Sequence, residues 1–516
     1  MVGVESRSDP GLSRVLMVGM PDAVARESRE RLPSALKHNG FSFPKGKVLF
    51  NLFPAQIPKK GVPIDLALAV SLLVEEKFAL EPQRPTLFIA ELDLQGNLHP
   101  PAYGTLLAAI AAVEADVQII TAHQSAKEAA LAPNSIVYSF SNLAEVVAFL
   151  NAQHSFNPHK FSAVDHPKKP CPRLDEIRGQ QQAHAAAALC AVGRHSLWLQ
   201  GPPGTGKSML ARRLINLLPN LDDDYAMQLA RIEALLGPIT SMPSRPPFRS
   251  PHTTTSAQAL LGGGSPLRPG EISRAHGGVL LLDEMPEFSR PALEGMRQPL
   301  EEKEVRLQRA QDWACYPADI TLIATSNPCP CGYLSHPKIP CRCSENRVES
   351  YLSRVSGPLQ DRFDLFVEMG PIAADVLDGP PTASSDEQVI SMITEAKKFQ
   401  AKQNRGYTSS EQASLEQLIA TGLESDAQSQ MRKASTLLAL SGRAVLRSLR
   451  VARSNADLHL RTSITASDVK KALSFRPLSV QQKITTSKHR LGERLKSHQS
   501  AALKHRGSHG GLPKKQ

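Results

Sequence analysis

The octapeptide "GPPGTGKS" at 201–208 constrains this chain more than any other stretch. It has the spacing G-x-x-x-x-G-K-[ST], follows an apolar run at 196–199 and precedes a helical pattern, so it predicts a strand, a phosphate-cradling loop and a helix in succession. Gly201, Gly204 and Gly206 let the backbone turn its N–H groups inward, with Pro202, Pro203 and Thr205 completing the loop. Lys207 brings a point charge to the β- and γ-phosphates, and Ser208 offers a hydroxyl to Mg²⁺. The following helix adds its positive N-terminal end.

A second element supports the first. "GGVLLLDE" at 277–284 is a buried apolar strand with two acids at its carboxyl end, where ligands bind in parallel sheets. Asp283 is expected to hold Mg²⁺, and Glu284 to polarise the attacking water. "TLIATSNP" at 321–328 reads as a third strand ending in Asn327, an amide that could orient that water or touch the γ-phosphate; the plain alternative is an Asn-Pro turn. Arg362, in "GPLQDRFDL" at 357–365, could reach a neighbouring subunit's nucleotide and stabilise developing charge, or make a surface ion pair. Arg443, near the start of the helical stretch 440–453, could clamp the phosphates or simply belong to a basic helix face. Together these groups predict an ATPase using ATP and Mg²⁺.

Composition bounds the rest. The 516 residues are 41% apolar and 21% charged, enough for several cores and for about three domains at ~150 residues each. The formal charge of +11 suits a polyanionic partner. Aromatics at 5% argue against a protein built on base-stacking platforms. No apolar run reaches the ~18 residues that span a bilayer, and the N-terminus carries no leader-like apolar region. The expectation is a cytoplasmic protein without a membrane partner. Seven cysteines, four of them within 329–343, suit a reducing compartment rather than a disulfide scaffold.

Residues 1–155 mix short apolar runs (48–53, 87–89, 117–120) with Ala-rich helical stretches (64–74, 106–115), the pattern of an α+β domain. Residues 156–173 read as a Pro-rich linker. Residues 174–372 alternate helix and buried strand, the signature of a parallel α/β sheet. Residues 373–480 read as helices, and 481–516 as a disordered tail with nine Lys and Arg after Gln481 against one acid, Glu493.

The segments 178–214, 247–288, "NPCPCGY" at 327–333, 354–365 and 440–458 together resemble the AAA+ ATPases of the magnesium-chelatase branch, and most closely the ComM family, also called YifB or Mg-chelatase-like competence proteins. The resemblance covers about residues 10–475. It implies a Lon-protease-like N-terminal domain, an AAA+ core and a C-terminal helical lid. Asn327 would be the sensor-1 residue, Arg362 the arginine finger and Arg443 the sensor-2 arginine. Such proteins are similar to ring-forming motors that assemble as homo-hexamers around single-stranded or branched DNA, with helicase and branch-migration roles in recombination and natural transformation. The insert 249–270 and the hairpin pattern at 300–320 would then point into a pore, where Arg268, Lys303, Arg306 and Arg309 would meet phosphates without reading bases; solvated charges on an edge hairpin are the alternative.

In Lon proteases a Ser follows a Pro-Lys-x-Gly turn and a Lys lies in a later helix. Here the turn is Pro58-Lys59-Lys60-Gly61-Val62 and the helix opens Gly104-Thr105-Leu106, so neither group is present and no peptidase activity is expected. The opening 1–20 is shorter than the family's usual hairpin. Cys329, Cys331, Cys341 and Cys343 form two C-x-C pairs that could close a tetrahedral Zn²⁺ site or remain reduced thiols, with His336 a lesser ligand and Cys171, Cys190 and Cys315 isolated. Two other readings stand beside the DNA motor. One is a chelatase-type motor that remodels a partner protein for Mg²⁺ insertion into porphyrin. The other is an idle regulator, which the intact Lys207, Asp283, Glu284, Asn327 and Arg362 oppose.

Overall fold

The computed structural model describes residues 1–19, 22–54, 63–153, 156–160, 176–309, 312–334, 336–371, 386–403 and 413–476. The turn 58–62, most of the linker, Cys171 and the basic tail 481–516 lie outside them. The chain forms a mixed α/β protein of two compact units, Met1–Lys168 with Asp222–Ser244, and Lys169–Leu221 with Arg245–Gln516.

In the first unit, strands Gly3–Asp9 and Arg14–Val18 flank Lys47–Phe53, one antiparallel and one parallel. The short opening therefore still supplies two strands. The polar alternation of "GVESRSD" suits an edge strand with one wet face, whereas "RVLMV" is a short apolar run. Thr86–Ile89, Gln118–Ala122 and Val137–Phe140 form a second, parallel sheet. Helix Asp65–Glu75 buries Leu66, Leu68, Leu72 and Leu73 against Phe50 and Leu52. The buried carboxylate of Asp65 accepts a hydrogen bond from Ser28 Oγ at 2.6 Å and pairs with Arg31 at 3.2 Å. Helix Asp223–Ala234 belongs here too: Ala230 and Ala234 pack with Leu106, Ala109 and Ile119, and Gly104 N donates to Ala234 O at 2.9 Å.

The second unit is built on a five-stranded, all-parallel sheet in the order Phe248–Arg249, Val279–Leu282, Thr321–Ser326, Leu197–Gln200, Leu365–Glu368. Val279–Leu282 and Thr321–Ser326 are buried throughout, because helices cover both faces. Side chains alternate across the sheet. Leu197, Leu199, Leu281 and Ile323 face helix Gln181–Gly193 and the C-terminal helices, while Trp198, Leu280, Leu282 and Leu322 face Leu293, Met296, Leu359 and Phe363. Five helices follow among the described residues: Asp386–Lys402, Leu415–Ala420, Ser425–Leu437, Gly442–Leu458 and Ala466–Leu473. The strands read from sequence at 196–199, within 277–284 and within 321–328 are found at Leu197–Gln200, Val279–Leu282 and Thr321–Ser326. No helix among the described residues is long and apolar enough to cross a membrane.

Candidate nucleotide site

The loop 201–206 leaves strand Leu197–Gln200 at its carboxyl end and delivers Lys207 as the first residue of helix Lys207–Arg213. The turn requires glycine: Gly204 and Gly206 have φ of 78° and 89°, a region costly for residues with a Cβ. Lys207 is only 9% exposed. Its ammonium donates to the carbonyls of Gly201 at 2.7 Å and Pro202 at 2.8 Å, and to Asn327 Oδ1 at 3.2 Å. Burial pushes its pKa down, and the nearby carboxylates of Asp283 and Glu284 oppose that. Among the described residues no carboxylate is paired with it, so a buried cation sits on a loop shaped for an anion.

Ser208 and Asp283 meet at this loop. Ser208 Oγ donates to Asp283 Oδ1 at 2.7 Å, and Thr325 Oγ1 donates to the same oxygen at 2.6 Å. Thr325 Oγ1 also accepts from the backbone N–H of Glu284 at 2.9 Å. One hydroxyl on the neighbouring strand thus fixes both acids. Glu284 stands exposed in a left-handed conformation, φ 55°, an unusual geometry that turns the chain sharply off the strand. Asn327 follows strand Thr321–Ser326 directly. The backbone of Asn327 hydrogen-bonds the Tyr351 hydroxyl, whose pKa is pushed up to about 12 by burial, with the carboxylates of Glu287 and Glu284 adding to it. The set Lys207, Ser208, Asp283, Glu284 and Asn327 is thus brought together as the motif spacing implies, and its groups fit a nucleoside triphosphate, with Ser208 and Asp283 the residues that would hold Mg²⁺.

The two arginines lie elsewhere. Arg362 is 8% exposed and pairs with Glu301 Oε2 at 2.5 Å, while the more open Arg443 pairs with Glu301 Oε1 at 3.1 Å. Burial lowers the Arg362 pKa and Glu301 opposes the shift. Among the described residues, the hydrogen bonds of Lys207, Ser208 and Asp283 involve neither arginine. Two residues beyond Arg362, the fully buried Asp364 anchors the start of strand Leu365–Glu368. It accepts from Arg447 at 2.8 Å and from Ser196 N at 3.2 Å, and its other partner is His195 Nδ1 at 3.3 Å.

Glu301 sits on helix Arg297–Glu302, which runs into the hairpin Glu304–Arg309 and Asp312–Pro317. Val305, Leu307 and Tyr316 share the inner face, and Tyr316 Oη donates to Leu267 O at 3.0 Å. The insert carrying Arg268, an exposed residue of the short strand Arg268–Pro269, therefore packs on this hairpin. Lys303 lies at the hairpin base and pairs with Asp319 at 3.2 Å. Arg306 is exposed and pairs with Glu304 at 2.5 Å, and Arg309 is exposed near the tip. Trp313, 78% exposed, shares the outer face with Arg306. Composition gives no mark of this exposed ring, and the register of the hairpin is what places it. Thr325, Tyr351 and Glu301 are likewise absent from the sequence reading. Thr325 is one of three hydroxyl residues in the buried strand "TLIATS", and nothing in the sequence singles it out.

The four cysteine sulfurs 329, 331, 341 and 343 lie within 4.8 Å of one another. His336 is not among them: its Nδ1 accepts the backbone N–H groups of Lys338 at 3.1 Å and Ile339 at 2.9 Å. Cys190 is buried with its thiol on His195 O, whereas Cys315 is exposed on the hairpin.

Comparison with known proteins agrees with this geometry. The family described as "Magnesium chelatase, subunit ChlI" matches residues 173–377, "Subunit ChlI of Mg-chelatase" matches 4–125, and "Magnesium chelatase, subunit ChlI C-terminal" matches 383–476. The chain is 35% identical to competence protein ComM of Haemophilus influenzae over 493 residues, covering 93% of this chain and 95% of that one. It is 35% identical to YifB of Escherichia coli over 486 residues, 92% and 94% of the two chains. An uncharacterized protein of Mycobacterium tuberculosis is 37% identical over 487 residues, 92% and 95%. With the phosphate loop, the paired acids and the parallel sheet in place, the chain belongs to the ComM/YifB family of magnesium-chelatase-like AAA+ ATPases.

Proposed function

We propose that this ATPase is a DNA-translocating motor that works as a homo-hexamer on single-stranded or branched DNA, with helicase and branch-migration activity in recombination and in the uptake of DNA by competent cells. The observation that carries the reading is the hairpin 304–317. It carries Arg306 and Trp313 on its outer face and an exposed Arg309 near its tip, and continues directly from the helix whose Glu301 holds Arg362 and Arg443. Two exposed arginines beside an exposed aromatic suit a strand of any sequence, since phosphates meet the arginines and any base can lie on the indole. The name of the Haemophilus relative, a competence protein, supports the same setting.

Within this reading, loop 201–206 and Lys207 bind the phosphates, Ser208 and Asp283 hold Mg²⁺, Glu284 polarises water, and Asn327 positions it. Bound Mg²⁺ would neutralise charge on the phosphates. Arg362 would act on a neighbouring subunit's nucleotide as an arginine finger, and Arg443 would clamp the phosphates from the lid side as a sensor-2 arginine. Arg268 and Lys303 support the DNA-facing elements, Zn²⁺ occupies the cysteine loop, and the helices after 386 form a lid. The N-terminal unit is Lon-protease-like without peptidase activity, and the protein is cytoplasmic. The deciding experiment is an ATPase assay with and without single-stranded and forked DNA. Stimulation supports the motor; turnover indifferent to DNA selects the second reading, a chelatase-type motor acting on a partner protein, which the family descriptions favour.

A further inference from the structure

The loop after Asn327 lies against the nucleotide site on two sides. Gly332 turns with φ 83°, and a Cβ there would lie 2.5 Å from Cδ of Pro203, in the phosphate loop. Helix Glu345–Leu352 packs Val348, Tyr351 and Leu352 on Cys329, and Tyr351 in turn hydrogen-bonds the backbone of Asn327.

The sulfurs themselves surround a common point. Cys329 and Cys331 are 3.3 Å apart, Cys329 and Cys341 3.6 Å, and Cys331 and Cys341 3.5 Å, with Cys343 in the same group. A tetrahedral ion with bonds of about 2.3 Å holds its sulfurs about 3.8 Å apart, so a small adjustment around an ion centres this set without moving the backbone. A second observation is the set of donors around them. Backbone N–H groups are aimed at the sulfurs: Leu334 at Cys329, Tyr333 and Arg342 at Cys331, and Cys343 at Cys341. Such donors stabilise sulfur-centred negative charge and orient metal ligands. His336 shapes the crossing between the two C-x-C pairs through its own backbone bonds, which leaves ligation to the four cysteines.

We propose that Cys329, Cys331, Cys341 and Cys343 bind one Zn²⁺, and that the closed loop braces Pro203 and Asn327 so that the metal sets nucleotide affinity. This rests on the reading of 201–208 as the nucleotide loop. Binding displaces up to four thiol protons and needs no redox partner. Without the metal, nothing ties the two C-x-C pairs together, and the loop's hold on the nucleotide site loosens at both Pro203 and Asn327.

The test uses the full chain. Zn²⁺ content is measured by atomic emission, and Co²⁺ replacement is followed by visible absorption for a tetrahedral four-thiolate site. Affinity for a fluorescent ATP analogue and ATPase rate are measured before and after chelation. The expected result is about one ion per chain, absent in the C341S/C343S double variant, with analogue affinity and turnover each down roughly 10-fold in the metal-free protein. Far-UV circular dichroism should be unchanged. A wild-type chain that takes up neither Zn²⁺ nor Co²⁺ would overturn the metal site. A metal-free chain that binds the analogue as tightly as the loaded one would overturn the bracing. If the double variant fails to fold, chelation of wild-type protein decides both points. A loaded chain that binds no analogue under any condition defeats the nucleotide reading instead, while metal content and Co²⁺ spectrum still judge the site.

Discussion

Arg362 and Arg443 bind the two oxygens of one carboxylate, Glu301, at 2.5 and 3.1 Å. Two guanidinium groups converge on a single negative charge, so the site holds surplus positive charge where a polyphosphate could replace the carboxylate. If that polyphosphate belongs to a neighbouring subunit, R362A alone should lose nearly all ATPase activity, and so should K207A. Mixing the two inactive proteins should restore part of the rate, because some interfaces then combine an intact loop with an intact arginine. Absence of recovery at every mixing ratio places Arg362 in its own subunit's chemistry.

Glu284 is fixed by its backbone through Thr325, while its side chain is exposed beside the loop. E284Q therefore keeps the fold of the turn. It should bind ATP with wild-type affinity and hydrolyse it at least ~10²-fold more slowly, because the group that accepts the proton is gone. Turnover close to normal, measured by phosphate release, would remove Glu284 from that role. T325V should unsettle Asp283 and Glu284 together and weaken both Mg²⁺ dependence and rate.

Lys303 is tied to Asp319 at the hairpin base, so its replacement mixes structural and binding effects. The cleaner probe is R306A/R309A/W313A. Affinity for single-stranded DNA should fall. The slope of log affinity against log salt should become shallower by about 1.4, since each of the two arginines accounts for ~0.7 by neutralising one phosphate. DNA stimulation of ATPase should disappear while basal turnover stays. Full stimulation in the triple variant would take the hairpin out of DNA binding.

Asp364 tests the scaffold beneath Arg362. Burial pushes its carboxyl up, but Arg447 and His195 outweigh this and hold it well below the ordinary value of 3.8. Its contribution to stability is complete above that unfolded value and is lost as the pH falls below it. D364N should cost about 3 kcal/mol near neutral pH, since the buried Arg447 pair loses its counter-charge. The gap between variant and wild type in thermal unfolding should narrow below about pH 4. An equal gap at pH 7 and pH 3 would contradict the assignment.

The sequence made the sheet and the loop readable because both depend on neighbours in the chain. Strands such as Val279–Leu282 are covered on both faces and read as unbroken apolar runs, and the loop's glycines are needed by its own turn. Glu301, Thr325 and Tyr351 carry no such mark, since each matters through partners 24 or more positions away that only the folded sheet brings near. Asp223–Ala234 has an amphipathic pattern that announces a helix without saying which unit its alanines will join.

That helix has a consequence for dissecting the protein. The chain leaves the ATPase unit at Leu221, contributes Asp222–Ser244 to the N-terminal unit, and returns at Arg245. The N-terminal unit is thus a discontinuous assembly, and cleavage in the linker 161–175 would yield two fragments that remain associated through Ala230 and Ala234. Expression of the C-terminal part alone would leave those alanines without Leu106, Ala109 and Ile119 to cover them. A soluble truncation therefore needs 222–244 replaced by a short polar bridge.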